Sequence, residues 1–70
     1  MDYFQHIERN PQICGGEPVI KGTRVTLRMI LASLAEGSSI EEITADFLTI
    51  SADDVRAVIA FAAAALVQRV

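Results

Sequence analysis

The sequence predicts a mostly α fold: a short N-terminal β-hairpin or extended arm, then a three-helix bundle patterned like a helix-turn-helix domain. Three observations carry this. Residues 1–25 hold three of the four glycines and both prolines, with β-branched residues between them. Residues 26–70 hold only Gly37 and no proline. In that second part, apolar residues recur at the three- and four-residue spacing of one helix face.

In the first part, Asn10-Pro11 and Cys14-Gly15-Gly16 are turn signals. Pro18-Val19-Ile20-Lys21 reads as a short strand, broken by Gly22-Thr23 before Arg24-Val25. Pro18 places it at a sheet edge or a strand start. A stretch around Phe4 to Glu8 is the candidate to pair with it. A lone two-stranded hairpin is barely stable in water. It must lie on the helices or pair with the same hairpin of a second copy.

Thr26 is placed to cap the first helix, whose face is Leu27, Ile30, Leu31 and Leu34. Gly37 stops it, since a left-handed C-terminal residue costs least as glycine. Ser38 or Ser39 caps the second helix. Glu41 and Glu42 each lie three residues beyond a serine, the spacing of a capping box. Ile40, Ile43 and Phe47 form its apolar stripe. Ser51 caps the third helix, with Asp53 and Asp54 near the positive end of its dipole. Its core stripe is expected to be Val55, Val58, Ile59, Ala62 and Leu66.

A second apolar face on that helix, Ala57, Phe61, Ala64 and Ala65, makes it greasy nearly all round. Such a helix is normally buried on more than one side. A chain of 70 residues has one core and little to cover it. With one cysteine and one histidine, neither an intrachain disulfide nor a zinc site is expected, which leaves association as the stabilising device. A homodimer is therefore expected, through Val19 and Ile20 of the hairpin and Ala57, Phe61, Ala64 and Ala65 of the helix. The alternative is that the alanines simply favour helix and tolerate exposure.

Half the residues are apolar, so the chain, read as a single domain of residues 1–70, should fold. The apolar run Val58–Val67 is shorter than the ~20 residues of a membrane span. The start, with Asp2 and Glu8, does not read as a signal peptide. The cytoplasm is the expected compartment and no membrane partner is expected. A net charge of −3 argues against nucleic-acid binding by bulk electrostatics.

A recognition helix presents basic or amide residues to base edges near its N-terminus. Here those positions hold Ala52, Asp53, Asp54 and Arg56, a poor reader of DNA. Lys21, Arg24 and Arg28 gather at the strand-to-helix junction, with Arg9 as a potential neighbour. They are candidates to touch phosphate or an acidic partner. In the competing reading Arg24 pairs internally with an acid such as Asp46, because five fixed donors suit a junction.

No catalytic constellation is present, and neither an enzyme nor a cofactor is expected. His6 has no acidic or nucleophilic partner at recognisable spacing. Cys14 beside two glycines lacks an activating base.

The run Asn10-Pro11, Ile13-Cys14-Gly15-Gly16, Pro18-Val19-Ile20, Gly22-Thr23-Arg24-Val25, Ile30-Leu31, Leu34, Gly37-Ser38 and Glu41-Glu42-Ile43 closely resembles the prokaryotic domain-of-unknown-function family numbered 433, described as antitoxin-like. The match continues through Asp46-Phe47, Asp53-Asp54-Val55-Arg56-Ala57 and Ala60-Phe61-Ala62. The resemblance implies a short β element, a homeodomain-like three-helix bundle, and dimers. It also implies a partner: members are often encoded beside a nuclease-like toxin of the PIN type. Leu48 stands where the family usually has a proline, which should loosen that turn. The leading expectation is thus an antitoxin of a toxin-antitoxin pair. The alternative is a DNA-binding regulator of its own operon, using Lys21, Arg24 and Arg28 or Arg56.

Overall fold

The computed structural model describes residues 2–67 and contains two short strands and three α-helices. Strand β1 is Ile7–Glu8 and β2 is Val19–Ile20; helices α1, α2 and α3 are Leu27–Ala35, Ile40–Asp46 and Ala52–Val67. β1 and β2 are antiparallel, with Ile7 opposite Ile20 and Glu8 opposite Val19.

The chain before β1 is not a strand. Tyr3–Gln5 forms a 3-10 turn closed by Asp2, whose carboxylate accepts from the Phe4 amide and the Gln5 side chain. A carboxylate two residues ahead gives the backbone a local partner, and this competes with strand pairing. Phe4 therefore lies outside the ribbon.

β2 starts directly after Pro18, and its outer side is not left open. The Lys21 amide donates to the His6 carbonyl on one side. On the other, the Ile20 amide donates to Val25 and the Leu27 amide to Pro18. The reversal between them rests on Gly22, at φ +81°, whose amide donates to the Glu8 carboxylate, and on Thr23, whose hydroxyl donates to the Ile20 carbonyl. With both backbone sides paired and both side chains buried, Val19 and Ile20 belong to the core.

Each helix starts where its capping residue predicts. Thr26 accepts from the Met29 amide at 3.1 Å. Ser39 and Glu42 exchange two hydrogen bonds, 2.8 and 3.1 Å, as a capping box. α1 ends at Gly37, φ +96°, with the Gly37 amide on Leu34 and the Ser38 amide on Ser33. This pair satisfies two end carbonyls that the helix leaves open.

Ile20, Leu27, Ile30, Ile43, Ile50, Val55 and Val58 form one core, flanked by half-buried Ile7, Val25, Leu31, Leu34, Ile40, Phe47 and Phe61. The expected α3 stripe is only partly the buried one. Val55 and Val58 are fully buried and so is Ala57, whereas Ile59 is 44% and Leu66 71% exposed. Ile59, next to buried Val58, lies on the outward face of the helix; for Leu66 the cause is length. At 1.5 Å per residue α3 runs about 24 Å, while α1 and α2 run about 14 and 11 Å. The shorter helices cover the start of α3 and leave its end open.

The Ile30→Ala variant is expected to lose about 3 kcal/mol of stability, because its fully buried side chain leaves a cavity among the helices. Urea unfolding reads this as a lower midpoint at unchanged slope. A loss under about 1 kcal/mol would contradict the packing described.

Candidate functional site

Two features of α3 stand out: a polar knot at its N-terminus and an apolar groove along its C-terminal half. The knot is built on Asp54. The Ser51 amide donates to one carboxylate oxygen at 2.9 Å, and the Asp54 amide donates to the Ser51 hydroxyl at 3.2 Å. The other oxygen lies 2.8 Å from His6 Nδ1. A carboxylate only accepts, so Nδ1 carries the proton. His6 thus has the acidic partner that the sequence did not reveal, 48 residues away. Burial pushes the Asp54 carboxyl up. The Ser51 amide, the His6 ring and the Ser51 hydroxyl outweigh that and hold it below its ordinary value. Glu42 is held low in the same sense by the Ser39 amide and then by its hydroxyl.

The basic residues do not form one patch of free charges. Arg28 reaches back to Glu17 at 3.2 Å and Arg56 turns to Asp53 at 2.9 Å. Lys21 and Arg24 are exposed, with no ion pair among the described residues. Arg24 makes none with Asp46, which is itself exposed, so the internal pairing does not occur. Arg9 lies one residue beyond the Glu8–Val19 pair, at the other end of the ribbon from Lys21. Asp53 and Asp54 are both engaged, one with Arg56 and one with His6.

The groove has a volume of about 760 Å³ and lies between α1 and the C-terminal half of α3. Leu27, Leu31, Phe61, Ala62, Ala65 and Leu66 line it, with Glu17 and Arg28 at its rim. Of the residues expected at an interface, Phe61 and Ala65 line it, and Ala64 is half-buried beside them. Val19, Ile20 and Ala57 do not, because the chain's own core covers them. Leu31, Ala62 and Leu66 are groove residues that the sequence placed on the core stripe.

Cys14 is free and half-buried, at φ +51°, ahead of two further left-handed glycines. Its Sγ lies 3.5 Å from the Arg24 carbonyl. Among the described residues, no three of His, Cys, Asp and Glu are grouped to hold a metal ion. No described helix is long and apolar enough to cross a membrane.

The family described as protein of unknown function (DUF433) matches residues 7–62. The chain belongs to the DUF433 family. A crystal structure of a DUF433 member from Anabaena variabilis superposes with a TM-score of 0.76 at 26% identity, covering 86% of this chain and 63% of that one. The Sinorhizobium fredii protein named uncharacterized protein y4eO is 36% identical over 50 residues, 71% of this chain. This chain spans 23% of y4eO. The DUF433 match begins at Ile7, so Asp54 and Phe61 fall within it while Tyr3 and His6 precede it.

Because the Asp54 carboxyl titrates lower folded than unfolded, its stabilisation is complete above about pH 5 and is lost as pH falls through the folded value. Asp54→Asn should cost about 1–2 kcal/mol at neutral pH, since it weakens charge-assisted bonds. It should also flatten the acid limb of a stability–pH curve from thermal melts. Parallel acid limbs for the two proteins would contradict this.

Proposed function

We propose that this chain is an interaction module that pairs with a second copy through the α1/α3 groove and, as a dimer, binds and silences a nuclease-like toxin. One observation carries the reading: the groove is apolar, concave and left open because α3 outruns the helices packed on it. Isolated exposed apolar residues are ordinary, but a contiguous concave set is characteristic of a partner surface.

The second copy is the occupant favoured by the rim. Glu17 and Arg28 are opposite charges already joined there, so the rim carries no net charge. In an isologous contact the same patch meets itself, and each Glu17 can face the other copy's Arg28. The toxin role is supported by the antitoxin-like character of the resembled family. The net charge of −3 suits masking a basic substrate path.

A second reading, regulation of its own operon through DNA, is favoured by exposed Lys21 and Arg24, which make no ion pair among the described residues. It is disfavoured at α3, where Asp53 repels phosphate. Retardation of upstream DNA at moderate salt, lost in a Lys21→Ala/Arg24→Ala protein, would support it. No retardation with or without a partner would remove it.

Light scattering at micromolar concentration should give a dimer mass, and Ala65→Glu should give a monomer mass with unchanged helicity. A monomer mass for the unaltered chain would refute the pairing. Co-expression with the product of the adjacent gene should suppress its toxicity and co-purify the two. Undiminished toxicity without co-purification would refute the antitoxin role.

A further inference from the structure

We infer that residues 2–6 form a strap that closes on α3 and releases as a unit, and that its release uncovers Phe61 and enlarges the α1/α3 groove. The inference rests on the docking role proposed for that groove, since it concerns the regulation of the same surface.

The strap is closed on itself. Asp2 accepts from the Phe4 amide and the Gln5 side chain, and the His6 amide donates to the Tyr3 carbonyl. The Tyr3 and Phe4 rings lie 4.7 Å apart. A segment that satisfies its own backbone can leave a surface without leaving orphaned polar groups.

Two side-chain contacts fix it to α3. One is the His6–Asp54 pair. The other is Tyr3, set edge-on to Phe61 with centroids 5.7 Å apart and planes at 86°. Asp54 and Phe61 are seven residues apart, two turns along one face of α3, so the strap lies lengthwise on the helix. Phe61 is therefore shared, covered by Tyr3 while it also lines the groove. The hinge is set by the Lys21 amide on the His6 carbonyl, where the ribbon begins. Phe4, 71% exposed, contributes little to holding the strap down.

Tyr3 is the single tyrosine and there is no tryptophan, so intrinsic fluorescence reports this segment alone. In the unaltered chain Tyr3 should be shielded from acrylamide. His6→Ala should raise the quenching constant about twofold and strengthen binding of an apolar dye, with far-UV circular dichroism unchanged. As an independent check, Tyr3→Ala should show the same rise in dye binding. Dimer affinity should increase several-fold in both variants. Quenching of the unaltered chain equal to that of free tyrosine amide would overturn the strap. Unchanged quenching and dye binding in His6→Ala would overturn its release, and weaker dimers in both variants would overturn its closing role. A monomer mass in every protein, with the quenching and dye changes present, would count against the dimer alone and leave the strap standing.

Discussion

One carboxylate joins the two halves of this chain, because Asp54 is at once the capping-box acid of α3 and the partner of His6. The helix needs an acceptor at that place, since its first amides have no partner inside the helix. The arm, whose Val19 and Ile20 are already buried in the core, gains a further anchor there, since a ribbon of two short strands is weak by itself. A single side chain meets both needs, and it does so half-buried, where charge-assisted bonds are stronger than in water. Ribbon, turn and third helix are thereby held in one register. Tyr3 falls on Phe61 as a result of that register rather than as a separate feature.

The second constraint is a mismatch of lengths. α1 and α2 are too short to cover α3, so the third helix has a core half and an open half. The core half carries Val55, Ala57 and Val58; the open half carries Ala65 and Leu66. The N-terminus of α3, where a nucleic-acid reader would present donors, is occupied by acids engaged with Arg56 and His6. Its C-terminal half is apolar and concave. The same helix thus carries engaged acids at one end and an apolar surface at the other.

Much of this was legible in the sequence. Caps and stops are local, so Thr26, Ser38 or Ser39, Ser51 and Gly37 announced the helices and their ends, and the structure picks Ser39. Val19-Ile20 announced the strand. The phase of α3 was not legible, because a helix apolar nearly all round has no polar side to fix which face turns inward. Ala57 therefore reads as an interface residue and Ile59 as a core one. The His6–Asp54 pair was also hidden. Neither residue has a periodicity that reports its partner, and capping alone accounted for Asp54. The arm was legible only in part: Ile7–Glu8 pairs with Val19–Ile20, but the Asp2 carboxylate closes a turn over Tyr3–Gln5 that keeps Phe4 out of the ribbon.

The claim on which the account depends most is that His6 and Asp54 act on each other, and a double-mutant cycle measures this directly. Unfolding free energies of His6→Ala, Asp54→Ala and the double variant, taken at neutral pH, should yield a coupling of about 1 kcal/mol or more. Additive losses, with coupling below about 0.3 kcal/mol, would show that the arm is not held through Asp54 and would contradict the account.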